Sequence, residues 1–354
     1  MAKENRVILC TGLPGIEKGR FFAETRKLAK FNGKDIKIYA VGDMLLSLAK
    51  EDDPNFIPEN VLNMPSSNLE GLVRCVYDDI ARDIKNNEYS LITTHATFFW
   101  RKVMTDSGNA RFLEKVKPDM YVTIVQAPDM IRNTLQKSRQ WRAQMPTEDE
   151  VCLWQNIEAM ATEKYWAGMQ KTQDGKRPRF LVLPRDSEHE DMLKLFMYPN
   201  VEFVYSAFPM TQLKDPDGSY DKIKEFQRRL REYFGVVCPR KLNIAIDASG
   251  MISNQTVHMD LAHFVKDTTK TIYYVPEMVP STGGITEVTT GITLSRDIYQ
   301  VFNAELAETL RQKDGSMKIS PFVSYNSRGV FWSEDSFFEH LKKEGYEKLN
   351  MKRQ

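Results

Sequence analysis

The sequence lacks the features that would tie it to an oxidising compartment, a membrane or a polyanion. Its 354 residues contain four cysteines, Cys10, Cys75, Cys152 and Cys238, widely scattered and with no C-x-x-C pair. A disulfide framework and a thiolate metal site are therefore not expected, and a reducing cytoplasm is the expected location. The five histidines, His95, His189, His258, His263 and His340, fall at no ligand spacing, so no metal is expected. No apolar run approaches the roughly 18 residues that a bilayer-spanning helix needs. The opening MAKENRVILCTG has no long apolar stretch before its first glycine, so no secretory leader is expected. With 49 Lys and Arg against 48 Asp and Glu, a net charge of +1 provides no overall field for nucleic acid or an anionic membrane. Repeats and low-complexity segments are also missing. What remains is an ordinary globular composition, 42% hydrophobic and 27% charged, long enough for two domains.

The first half opens on a short apolar strand, Arg6–Cys10, followed directly by Thr11-Gly12-Leu13-Pro14-Gly15-Ile16-Glu17-Lys18-Gly19 and a helix from about Arg20 to Lys30. Strand, glycine loop with lysine, and helix form the setting of a phosphate-binding loop, in which backbone N–H groups and a lysine face the phosphates. Gly12, Gly15 and Lys18 fit. Glu17 stands in place of the last loop glycine, and Gly19 in place of the hydroxyl residue that would ligate magnesium. Tyr39–Met44, a strand Ser90–Thr94 leading to His95-Ala96, a strand Tyr121–Gln126, and a basic stretch with Arg132, Arg139 and Arg142 follow in order. A helix over 148–170 and a strand Phe180–Leu183 then complete a parallel sheet.

Over roughly residues 5–197 this half resembles the archaeal type of adenylate kinase, a P-loop nucleoside monophosphate kinase. The resemblance implies ATP or another nucleotide at the loop, a monophosphate site near Val41-Gly42-Asp43, and a mobile lid whose arginines, here Arg139 and Arg142, clamp the transferring group. A solvated helix face accounts equally for those two arginines. Thr93 stands where the family commonly has Asp, and Asn63-Met64-Pro65 replaces the Met-Arg that holds the monophosphate. The expected domain, residues 1–198, is thus a degenerate kinase-like one, with its magnesium site in question.

In the second half, expected to be a domain over residues 199–354, the central stretch is Thr271–Phe302. A strand Ile272–Val275, a turn Pro280-Ser281-Thr282-Gly283-Gly284, Glu287 in the first turn of a helix, and a strand Ile298–Phe302 make a βαβ unit. Ligands bind such units at the carboxyl ends of the strands, where glycines allow close approach. A first-turn glutamate there is a candidate nucleophile, or simply a partner of the helix dipole. A strand Val201–Tyr205, a charged helix Tyr220–Phe234 and the segment Val257–Leu261 come before it. The tail reads as helix Ala304–Gln312, an edge strand Val330–Trp332 and a helix Glu334–Lys343 capped by Ser333.

Residues 201–302 resemble nucleoside 2-deoxyribosyltransferase-like N-glycosidases. The resemblance makes Glu287 the group that attacks the sugar C1′, Asp260 the proton partner of the base and Tyr205 the residue positioning the glutamate. Ser281, Gly283 and Gly284 would line the substrate turn. Ser281 stands where the transferase has an acidic contact to sugar hydroxyls, which leaves transfer and hydrolysis both open. Asp260 also reads as an N-cap, Tyr205 as a core aromatic and His263 as a surface residue. The family often completes its pocket from a neighbouring protomer, so a homo-oligomer is implied. The aromatic tail, Phe322, Tyr325, Phe331 and Trp332, would lie at that interface or in the core.

Two α/β domains, each three-layered α/β/α with a mainly parallel sheet, are expected, P-loop kinase-like and then flavodoxin-like. The leading functional expectation is cleavage or transfer at an N-glycosidic bond of a nucleoside or nucleotide, with depletion of such a molecule in antiviral defence as one setting. A nucleoside monophosphate kinase with an accessory domain and a non-catalytic nucleotide-binding scaffold are the alternatives.

Overall fold

The computed structural model describes residues 5–169, 177–210, 213, 216–242, 257–279, 281–316 and 325–352. Pro280 and Phe322, both singled out in the sequence, lie outside them. The chain divides into two compact units, with the division between His189 and Glu190. The helix His189–Met197 falls almost wholly in the second unit.

The first unit carries a five-stranded parallel sheet. Its strands are β1 (Arg6–Thr11), β2 (Ile36–Ala40), β3 (Tyr89–Thr93), β6 (Met120–Val125) and β7 (Arg179–Pro184), in the order β2-β3-β1-β6-β7. A separate antiparallel pair, β4 (Thr97–Trp100) and β5 (Val103–Asp106), lies between β3 and β6 in the chain. β1 is central, with Cys10 opposite Thr93 on one side and Val122 on the other. All six residues of β6 are buried, as a strand covered by helices on both faces requires. The hairpin escaped sequence reading because Arg101 and Lys102 form its turn with φ of 52° and 62°. Turns of that kind are usually announced by Asn-Gly, not by two long cationic residues.

The second unit has five parallel strands, β8 (Phe203–Ala207), β9 (Gly235–Val237), β10 (Lys270–Val275), β11 (Asp297–Phe302) and β12 (Gly329–Phe331), ordered β12-β11-β10-β8-β9. β10 and β11 are joined by the helix Thr282–Thr293 and pair in parallel from Lys270–Asp297 to Val275–Phe302, which is the βαβ unit expected. The edge strand β12 and the Ser333-capped helix Glu334–Lys343 also appear, Ser333 accepting from Ser336 N. The helix Pro216–Leu230 sends Ile223, Phe226 and Leu230 into the core at the spacing of one helical face. Phe226 stacks on Tyr274 at 4.4 Å, and Phe337 and Phe338 close over it. Each such aromatic contributes about 1.5–3 kcal/mol through burial. Of the tail aromatics, Phe331 packs on Phe337 and Trp332 stacks on Phe302 at 4.8 Å, while Tyr325 is exposed.

Candidate functional site

In the second unit, β8 runs two residues beyond Tyr205, which sits in the middle of the strand and not at its end. Small, buried Ser206 and Ala207 let the ladder with β10 continue. Tyr205 is fully buried and its hydroxyl donates to Glu287 Oε1 at 2.8 Å. Placement of Glu287 departs from the sequence reading. Ser281 accepts from Gly284 N at 3.1 Å, so the helix starts at Thr282 and Glu287 is its sixth residue. It lies beyond the first turn, where the helix dipole has faded and where no free N–H group explains a carboxylate. It is nevertheless buried, at 5% exposure, and Oε2 has no hydrogen-bond partner among the described residues.

Asp260 is not an N-cap. Met259 before it is already helical, and Asp260 opens a π-helical stretch, Asp260–Val265. A π-turn carries one more residue per turn and re-aims side chains; such bulges are frequent at functional sites. Asp260 is 6% exposed and its Oδ1 has no partner among the described residues. His263, on the same stretch and expected at the surface, is buried.

Burial pushes both carboxyls up, Asp260 to about 7 and Glu287 to about 8, the latter also through the charge of Asp260 and against the Tyr205 hydrogen bond. Tyr205 is raised by burial and then by these two acids. Glu287, Asp260 and Tyr205 therefore interact as one buried acidic cluster, in which each negative charge opposes the next.

Gly284 has a packing reason to be glycine. A Cβ there would lie 2.4 Å from the ring of Tyr273. Gly283 is exposed with open space around it, and Ser281 is committed to its cap.

In the first unit the loop after β1 has the shape expected. Gly12 and Gly15 take φ of 143° and 91°, and a Cβ at Gly12 would meet Ile124 O at 2.7 Å. Glu17 holds φ of 54°, the left-handed region normally left to glycine, and is exposed. Lys18 Nζ turns back onto Gly12 O and lies 3.3 Å from His95 Nδ1. Burial draws Lys18 down to about 8, with Glu158 opposing.

Glu158, which sequence reading missed, is the anion of this loop. Fully buried, it accepts from Gly12 N (2.9 Å), Ala96 N (2.8 Å), Thr97 N (2.7 Å) and Thr97 Oγ1 (2.7 Å). Burial raises its pKa against the pull of Lys18 and these donors. The signal was a glutamate within the buried stripe Trp154–Gln155–Glu158–Thr162–Tyr165 of the helix Glu148–Gly168. Arg139 and Arg142 are exposed, and Arg142 Nε donates to Gln136 O. Gly19 offers no hydroxyl and nothing lies within 4 Å of where its Cβ would be. The loop thus does not supply its usual magnesium ligand.

A family model described as an AAA domain matches residues 11–151. No curated protein matches the chain. Among solved structures, deoxyadenosine kinase from M. mycoides with bound dATP is 14% identical, covering 55% of this chain and 98% of that one with a TM-score of 0.30. An uncharacterized protein from Eubacterium ventriosum is 11% identical, covering 55% and 97%, with a TM-score of 0.28. The first unit is thus a parallel α/β domain with a glycine loop after β1, similar over residues 11–151 to an AAA domain. No helix among the described residues is long and apolar enough to cross a membrane.

Proposed function

We propose that the second unit cleaves the N-glycosidic bond of a nucleoside or nucleotide, with Glu287 as nucleophile. The observation that carries this reading is a buried carboxylate held through one oxygen only. Tyr205 fixes Oε1, and Oε2 has no partner among the described residues. In the proposed reaction Glu287 and Asp260 together hold one proton, which the Tyr205 hydrogen bond to Oε1 directs to Asp260; Oε2 bonds to C1′ as the bond from C1′ to the base nitrogen breaks, and Asp260 gives that proton to the departing base. Water, losing a proton to Asp260, then opens the glycosyl ester and restores the Glu287 carboxylate. The Tyr205 hydrogen bond favours the ionised form of Glu287 that attack requires. Ser281 stands where the transferase has an acidic contact to sugar hydroxyls and is bonded to Gly284 N, so water and a second base both remain acceptors on this reading. On this reading the first unit recognises a nucleotide. The homo-oligomer and the setting in antiviral defence belong to the same proposal.

Incubation with nucleosides, deoxynucleotides and NAD, followed by chromatography, tests it. Free base should appear with the native protein and vanish with Glu287→Gln. The P-loop itself favours a second reading, a nucleoside monophosphate kinase. Diphosphate formation that is lost in Lys18→Ala would establish that instead. Against it stand Glu17 at the loop, the missing hydroxyl at Gly19, and Lys18 directed to Gly12 O.

A further inference from the structure

The helix Glu148–Gly168 is apolar on two sides. Its inner stripe, from Trp154 to Tyr165, is buried in the first unit. Its outer face carries Leu153 and Met160, exposed at 52% and 59%, with half-buried Ile157 between them. Seven residues separate Leu153 from Met160, close to two turns, so both lie on one line along the helix. A helix at the surface of a domain ordinarily turns polar side chains outward. A single exposed apolar residue needs no explanation, but an aligned pair forms a stripe that association would remove from water.

Charged residues end the stripe, and their signs are opposite. Asp149 stands one turn before Leu153, and Lys164 one turn after Met160. Both are exposed, and the side chain of neither forms an ion pair or a hydrogen bond among the described residues.

These four positions are related by symmetry. Leu153 and Met160 lie equally far from the midpoint between Asn156 and Ile157, and so do Asp149 and Lys164. Two such helices, antiparallel about a twofold axis through that midpoint, bring Leu153 against Met160 and Asp149 against Lys164, twice each. A parallel pairing would instead place like charges together at both ends. Glu150, on the flank that would come near Glu163 of the second copy, is neutralised by Lys102 at 2.6 Å. We propose that this face docks a second copy of the chain in the antiparallel arrangement. The contact uses the first unit alone and is separate from the oligomer proposed to complete the pocket of the second. From Asp149 to Lys164 the stripe is about 22 Å long. One helix pair is a small interface, under about 1,200 Å², so the dimer belongs at the reversible, micromolar end of specific association.

Sedimentation velocity of the full chain, at concentrations up to about 100 µM, tests it. The native protein should double in mass as concentration rises. Leu153→Glu combined with Met160→Glu should remove that doubling while circular dichroism stays native, since both side chains are exposed. An oligomer formed through the second unit would persist in every variant, so the two associations separate. Charge reversal tests the register. Asp149→Lys and Lys164→Asp should each weaken the association by about tenfold. An equimolar mixture of the two variants should associate as the native protein does, because each contact of the mixed dimer again joins unlike charges. Misfolding of either variant could not produce that recovery. No doubling by about 100 µM, or doubling that survives the two glutamates, would overturn the proposal. Single reversals without effect, or a mixture that recovers nothing, would overturn it equally.

Discussion

Replacing Glu287 by Gln should make the protein more stable at pH 8 and leave it unchanged or slightly less stable at pH 5. Burial and the charge of Asp260 lift the Glu287 carboxyl from an ordinary 4.5 to about 8. The native state therefore keeps a proton that the unfolded chain gives up above its own lower pKa. Stability attributable to this group is fully present below pH 4.5 and drains away as pH rises towards 8, at about 1.4 kcal/mol per pH unit. Over that window the loss is on the order of several kcal/mol, reduced where Asp260 keeps its proton in place of Glu287. Glutamine has no charge to bury and still accepts the Tyr205 hydroxyl, so it escapes the loss. Urea unfolding of both proteins at pH 5 and pH 8 reads the difference directly, since groups common to the two cancel. The variant should gain at least 1–2 kcal/mol on the native protein between the two pH values. A difference that is the same at both would show that Glu287 ionises normally, and would remove the buried acidic cluster on which the proposed chemistry rests.

Tyr205→Phe removes the single donor to Glu287 Oε1, so base release should fall about 10–100-fold and its pH profile move to higher pH, a shift that simple loss of packing would not cause. Glu158→Gln places an NH2 group against backbone N–H donors and removes the anion beside Lys18. A loss of about 2–4 kcal/mol in denaturant unfolding should follow, and no loss would mean these hydrogen bonds are dispensable. Glu17→Gly relieves a left-handed residue and should raise stability by about 1 kcal/mol, measured as a higher melting temperature; a lower one would refute the strain.

Much of the fold was legible because parallel strands buried on both faces read as apolar runs, and the βαβ unit around Glu287 has its strands and turn in plain order. The loop was legible from Gly12, Gly15 and Lys18, and the two glycines take the φ of 143° and 91° that it requires. What was hidden depended on tertiary placement. The start of the helix at Thr282 is set by the Ser281 side chain, one turn before Glu287, so the carboxylate emerged inside the helix and not at its mouth. Asp260 looked like a cap because no local pattern announces a π-helical stretch. Glu158 stood in an otherwise buried helical stripe, yet its four donors come from segments about 60 and 146 residues away, a convergence that only the folded sheet creates. The strand β9 is three residues long, and its Gly235 accommodates the Phe203 ring, which a Cβ would meet at 2.3 Å. Such a strand is too short for any periodicity.

Mass spectrometry of the protein reacted with a slow-turnover fluorinated nucleoside tests the central claim most directly. A pentose ester on the peptide containing Glu287, with free base released in equal amount and neither seen in Glu287→Gln, is the result predicted. Base release that persists in the glutamine variant, or a sugar adduct on another residue, would contradict it.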